Sequence, residues 1–459
     1  MSKSASVNVE NQHVFTLSNI IDVKRMNDIS YLKSMHVDMV KPSGSKYVIL
    51  KYKKDGLRNE QDLLKKHMIG YIRSVIYDTE KKCIVACSPC KSLDLTHMTH
   101  EDKSAMTLPD NIRAEEYVEG TMINVFFDKD ENKWYRSTRG VLGAKTAFYN
   151  NTYNPCTDKK NVSVTFHNTT FDDMFMECLH TSNFKLDRLN KDYSYSFVIQ
   201  HPANKIVNQI TTPKLYLCAM YKCEEQSVYE IPLYMFTENK ITIQFNPLVS
   251  NMFRSSSVCI PYVDLNVKNI PDAILKYANS ESTHFSIQGI ILKKKNQRFK
   301  IPNPNYCYVR ELRGNQSKIQ YHFYELRKDN KQSDFLSFFP EYVNMFKSME
   351  HEISLFAQTL FYMYHMCYRF KTKELTDFPY EYRNHIWELH RYYLDVLRPR
   401  RSGIQFKNVM KHLSLLEPSR LMFSINFEKR THHPDMSHMC GDNSSHDVHH
   451  PISEKVSNK

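Results

Sequence analysis

Glycine is scarce in this sequence, at 10 of 459 residues, and tryptophan occurs only twice. Lysine, asparagine, tyrosine and isoleucine are abundant instead, a bias typical of AT-rich coding that carries no chemistry of its own. No apolar run reaches the roughly 18 residues that a membrane-spanning helix needs, and the polar start does not read as a signal peptide. The 11 cysteines are odd in number and scattered. That pattern excludes a disulfide framework and fits reduced thiols in a cytoplasmic setting. Cys87-x-x-Cys90 is half of a zinc site; a tetrahedral ion needs two further N or S ligands, and no second Cys-x-x-Cys exists. Acidic residues are outnumbered, 50 against 62 Lys+Arg, which gives a net charge of +12. With a pI near 9.0, the natural partners are polyanions such as nucleic acid or an acidic membrane surface. A solvated basic surface without a specific partner is the simpler alternative.

Length favours two domains plus tails, and a hydrophobic content of 41% supports globular packing. Residues 1–14 read as a polar, flexible N-terminus. Leu17 to Val37 reads as helical and Lys46 to Tyr52 alternates as a strand. Lys53-Lys54-Asp55-Gly56 spells Lys-x-Asp-Gly, yet it reads as a charged turn, because Asp-Gly is ordinary turn chemistry and no Gly-led apolar strand follows. Ile69 to Asp78 and Cys83 to Cys87 form one hairpin. Thr121 to Asp128 and Lys133 to Thr138 form a second around the charged turn Lys129 to Asn132. Further strands are expected at Ser194 to Val207, where a Pro-containing turn intervenes, and at Leu215 to Lys222, Val228 to Met235 and Phe285 to Leu292. From about Ser333 the period changes. Ile353, Phe356, Leu360, Met363, Cys367 and Phe370 recur at helical spacing, as do Tyr382, Ile386, Leu389, Tyr393 and Val396. The expected fold is therefore α+β, with antiparallel sheets and flanking helices over residues 15–330 and an all-helical domain over 331–428. Residues 429–459 carry His432, His433, His438, Cys440, His446, His449 and His450 in a polar background, which reads as a flexible tail.

Several short motifs follow one another in order. They are Arg73-Ser74-Val75-Ile76, Lys91-Ser92-Leu93-Asp94-Leu95, Val118-Glu119-Gly120-Thr121-Met122 and Thr138-Arg139-Gly140. Phe197 to Val207, Gln288-Gly289-Ile290-Ile291 and Arg298-Phe299-Lys300 complete the series. With the helical C-terminus, it resembles the phage-type RNA ligases and their viral and fungal relatives, a branch of the covalent nucleotidyltransferases. The resemblance covers roughly residues 45 to 400. It implies a nucleotidyltransferase-type fold, ATP and Mg²⁺ as cofactors, and RNA or another nucleic acid as partner, with no membrane. For a viral member it also implies a host-cytoplasmic or virion setting.

In that family a lysine attacks the α-phosphorus of ATP, and AMP then passes to an RNA 5′-phosphate. At the lysine position this sequence has Tyr117, and a phenol is a poor nucleophile at neutral pH. The carboxylate expected after Phe197 is Val198, and the Glu expected before Gly289 is Gln288, which loses the charge that Mg²⁺ favours. The resemblance leaves Arg139, Lys300 and Arg298 as phosphate-binding candidates, with Glu119 and Gly120 beside the nucleotide. Solvated strand-edge or turn charges are the simpler account of the same three cations. Lys91 is the best replacement nucleophile and Lys145 a weaker one. Three functions remain open. One is a degenerate nucleotide- or RNA-binding member, one an active ligase with a displaced lysine, and one a structural or virion protein that binds other proteins.

Overall fold

The computed structural model describes residues 12–53, 68–104, 107–108, 112–147, 169–236, 243–316 and 318–428. Residues 54–56 of the Lys-x-Asp-Gly turn and the His-rich tail lie outside these. The chain divides into two compact units, Met1–Ile319 and Gln320–Lys459.

The first unit is strand-rich. Its strands are β1 (Gln12–Thr16), β2 (Val37–Val40), β3 (Tyr47–Tyr52), β4 (Val75–Asp78), β5 (Cys83–Cys87), β6 (Leu93–Asp94), β7 (Ile112–Glu116) and β8 (Thr121–Asp128). They continue with β9 (Lys133–Ser137), β10 (Tyr193–Gln200), β11 (Lys214–Glu224), β12 (Ser227–Ile231), β13 (Tyr234–Phe236), β14 (Ile243–Phe245), β15 (Gly289–Lys294) and β16 (Gln297–Pro302). A six-stranded antiparallel sheet runs in the order β1-β12-β11-β10-β8-β9. A second sheet, β2-β3-β4-β5, is also antiparallel. A third runs β6-β16-β15-β7, antiparallel except for the short β6/β16 pairing. β13 and β14 form a separate pair.

The alternation of side chains along a strand decides what each face buries. On the six-stranded sheet, Ile123, Val125, Tyr195, Phe197, Ile199, Leu215 and Leu217 pack under the helix Phe171–Thr181, through its Met174, Phe175, Cys178 and Leu179. That helix starts with a capping box between Thr170 and Asp173. Ala219, Tyr221 and Val228 share a core with Val48, Leu50 and Val75 of the second sheet. In the third sheet Ile112, Ala114, Ile290, Leu292, Phe299 and Ile301 pack against Ile270, Ala273 and Tyr277 of the helix Ile270–Tyr277. Its opposite face therefore carries Arg113, Glu115, Lys293, Arg298 and Lys300, since β15 sets Lys293 opposite both Arg298 and Arg113.

Asp128, at the end of β8, ties the six-stranded sheet to the second sheet. Its carboxylate accepts from Tyr47 Oη at 2.6 Å and Lys46 Nζ at 2.7 Å, and from the amides of Asp130 and Glu131 at 2.8 and 3.1 Å. Burial alone would raise its pKa, but the Lys46, Tyr47 and backbone donors outweigh burial and hold it well below the usual carboxylate range. A depressed folded-state pKa stabilises above the unfolded value and is lost as pH falls through the folded one. Asp128→Asn should thus cost about 3 kcal/mol at neutral pH. The deficit should shrink below about pH 4, as urea unfolding at two pH values would measure.

Several sequence expectations need correction. Leu17 to Val37 is not one helix. It holds 3₁₀ turns at Leu17–Asn19 and Val23–Arg25 and a short helix Ile29–Ser34, with Asp22 and Asp28 capping the last two through their side chains. Gln12 to Val14, expected in the flexible N-terminus, belong to β1, which pairs with β12. The strand expected from Phe285 begins only at Gly289, because Asn303 Nδ2 donates to the carbonyls of His284 and Ile287 and holds that segment in a turn.

The second unit is helical, as its periodicity indicates. Ile353, Phe356 and Leu360 of the helix Val343–Tyr364 are buried, as are Ile386 and Leu389 of Tyr380–Tyr392. Each helix widens into a π turn, at His365–Arg369 and Tyr393–Leu397, which breaks the 3.6-residue spacing. Phe370 is consequently 60% exposed, and Leu397 takes the buried place expected of Val396. No helix among the described residues is long and apolar enough to cross a membrane.

Candidate functional site

β7 ends at Glu116 in the third sheet and β8 starts at Thr121 in the six-stranded sheet. Tyr117 to Gly120 therefore crosses between two sheets in four residues. At this crossing a cleft opens, lined by Tyr117, Val118 and Gly120, by Met122 and Val198 of the six-stranded sheet, and by Glu115, Lys293 and Arg298 of the third. Arg73, Cys90, Ser92, Glu230, Gln288, Tyr306 and Arg310 complete much of the wall. Met122 and Val198 are register partners across β8 and β10, so they form adjacent parts of the floor.

Gly120 makes the crossing possible. Its φ is +147°, and a Cβ there would lie 2.4 Å from the Ile199 carbonyl oxygen and 2.5 Å from Val198 Cγ1. Glu119 points inward and is 6% exposed. Its carboxylate accepts from the Val207 and Asn208 amides at 3.3 and 3.1 Å and from Asn208 Nδ2 at 3.0 Å. Burial still raises its pKa above the ordinary Glu value. Its carboxylate thus anchors the Pro202–Asn208 turn. Asn204 of the same turn reaches Thr121 Oγ1 at 2.9 Å.

The charges of the cleft are unevenly matched. Glu230 is taken by Lys293 and Glu115 by Arg113, both in close ion pairs. Arg73 and Arg298, in contrast, make no hydrogen bond or ion pair to any described acidic residue. Burial, and next to it the charge of Arg298, lowers the pKa of Arg73. The two half-buried guanidiniums are held near each other. For Arg298 the influence of Cys90 and Glu115 outweighs burial and raises its pKa, whereas no carboxylate does so for Arg73, and burying a charge unpaired is costly. Gln288 adds an uncommitted acceptor, since its Oε1 is buried with no partner.

Tyr117, Gly120, Val198, Gln288 and Arg298 thus converge on one cleft from four segments. The other candidates have separate engagements. Arg139 stacks over the Tyr52 ring at 4.6 Å and donates from Nη2 to the Tyr52 carbonyl at 2.7 Å, with its Nε buried and unpartnered. Lys300 pairs with Asp94 at 3.1 Å. Lys91 lies between the lining residues Cys90 and Ser92; burial, and after it the charge of Lys300, lowers its pKa. Lys53 of the Lys-x-Asp-Gly turn pairs with Asp38 at 3.4 Å. Arg73 was visible in the sequence only as part of a strand motif, and Lys293 and Glu230 had no local signal, since they meet across 63 positions. No protein-family model matches the chain, and no curated protein matches it.

Proposed function

We propose that the strand-rich unit is a nucleotidyltransferase-type fold that binds the phosphates of a nucleotide or of an RNA end in this cleft, without forming a covalent adenylate at Tyr117. The observation that carries the reading is the pair Arg73 and Arg298. Polyphosphate supplies the anionic oxygens that Arg73 lacks and that Arg298 has only from a Glu115 shared with Arg113 and Lys293, and planar guanidiniums match phosphate geometry. The arrangement of two antiparallel sheets around a cleft, with the Tyr117–Gly120 segment crossing between them, supports the same fold. So does the order in which the resembling motifs line it. Val198 and Gln288 leave those two positions uncharged, which disfavours a tightly held Mg²⁺ there. ATP, pyrophosphate and a 5′-phosphorylated RNA should compete for one site, with affinity falling steeply as salt rises for the RNA. RNA binding that pyrophosphate does not displace would place the RNA surface elsewhere.

A second reading keeps the ligase chemistry and moves it to Lys91, whose lowered pKa favours the neutral, nucleophilic amine. The two readings differ in whether AMP becomes attached to the chain.

A further inference from the structure

Three potential ligands meet inside the helical unit, remote in sequence from every motif above. His385 and Glu388 are three residues apart on the helix Tyr380–Tyr392, hence on one face, and His412 comes from the helix Phe406–Leu415. His385 Nδ1 lies 3.0 Å from His412 Nε2, which lies 3.7 Å from Glu388 Oε2. The three donor atoms all fall within 4.8 Å of one another. Zinc–nitrogen and zinc–oxygen bonds of about 2.0–2.2 Å at tetrahedral angles separate ligand atoms by roughly 3.3–3.6 Å. The cluster brackets that spacing.

The surrounding groups orient each ligand as a metal site requires. Ser424 Oγ donates to the Arg420 carbonyl at 3.1 Å, so its lone pair is free to accept from His385 Nε2–H at 2.9 Å. That bond fixes the tautomer of His385 and leaves the Nδ1 lone pair aimed at the cluster. Arg420 Nη2 holds Glu388 Oε1 at 2.8 Å, which leaves Oε2 for His412. His385 is 2% exposed. The side chains of His412 and Glu388 are 16% and 29% exposed, so solvent reaches the cluster from their side.

We propose that His385 Nδ1, His412 Nε2 and Glu388 Oε2 bind one divalent transition ion of the zinc class, with water in the fourth position. In the metal-free chain a proton on His412 Nε2 bridges to His385 Nδ1. On binding, that proton leaves Nε2 and the neutral imidazole takes the Nδ1–H tautomer, so the ion occupies the bridging place. Two imidazoles and a carboxylate select Zn²⁺, Co²⁺ or Ni²⁺ over Mg²⁺ and Ca²⁺. The ion joins the helices that carry His385 and His412, and Ser424 extends the link to the helix Pro418–Ile425.

The test uses Co²⁺ as a coloured probe, followed by Zn²⁺ displacement. It is made on the full chain with His432, His433, His438, His446, His449 and His450 changed to Asn and Cys440 to Ser, so that the tail cannot chelate. The expected result is one Co²⁺ per chain with the intense visible absorption of four-coordinate cobalt, displaced by Zn²⁺ and unaffected by excess Mg²⁺. Glu388→Gln and His412→Asn should each weaken binding by about 100-fold or more, and Ser424→Ala by about tenfold. The Glu388 variant decides the matter if the His412 variant does not fold. A chain that takes up no Co²⁺ once the tail is changed, or one that keeps its affinity in the Glu388 variant, overturns the proposal.

Discussion

Arg73→Met should raise the melting temperature of the protein while weakening ATP and 5′-phosphorylated RNA binding by about 30-fold. The two effects have one cause. Arg73 lines the cleft with Arg298 nearby and no carboxylate beside it. Removing a charge-assisted phosphate contact costs about 2 kcal/mol of binding, which is the 30-fold loss. Removing a buried charge that has no partner, and filling its place with an apolar chain of similar length, stabilises by about 1–2 kcal/mol. A site that stores unfavourable charge for its ligand shows this opposition of stability and affinity. Calorimetric melting and equilibrium binding on the same variant read both numbers. A variant that loses stability and keeps its affinity would make Arg73 a structural residue.

Gly289→Ala should be among the most damaging single changes in the strand-rich unit, at about 4 kcal/mol or more, with little soluble protein recovered. Gly289 has φ +126°, and a Cβ there would lie 2.1 Å from the Ile301 carbonyl oxygen and 2.9 Å from Pro302 Cα. Both obstacles are backbone, so neither can swing aside. This close approach pairs the start of β15 with the end of β16 beside Gln288, at the open end of the hairpin whose second strand carries Arg298. Gly44 provides the contrast. It also has a positive φ, +69°, but nothing lies within 4 Å of its Cβ position. Gly44→Ala should therefore cost only the left-handed conformation, about 1 kcal/mol. Equal losses in the two variants, measured by urea unfolding, would refute the argument from close approach.

Much of the fold was legible in the sequence where local chemistry and tertiary packing agree. The hairpin Thr121–Asp128/Lys133–Ser137 follows from β-branched and aromatic runs around a charged turn, and the strands fall within a residue of expectation. The helical unit follows from apolar spacing, until the π turns shift the register. Leu17 to Val37 misled because Leu17, Ile20, Ile21 and Leu32 are all buried, at spacings that two Asp caps divide into separate turns. For the site, the ordered motifs led to Tyr117, Val198, Gln288 and Arg298, which do share one cleft. They could not reveal the ion pairs. Glu230 neutralises Lys293 and Asp94 engages Lys300, and those long-range partners decide which cations stay free. The cluster of His385, Glu388 and His412 was hidden for the same reason, since two helices bring it together.

The most direct measurement of the central claim is made on one preparation of the full chain with α-labelled ATP and Mg²⁺ or Mn²⁺. Label retained under native conditions is counted first, and label that survives denaturation second. The account predicts native retention that pyrophosphate competes away, and no label on the denatured chain. Label that survives denaturation and maps to Tyr117 or Lys91 would contradict it, and would establish a covalent nucleotidyltransferase at that residue.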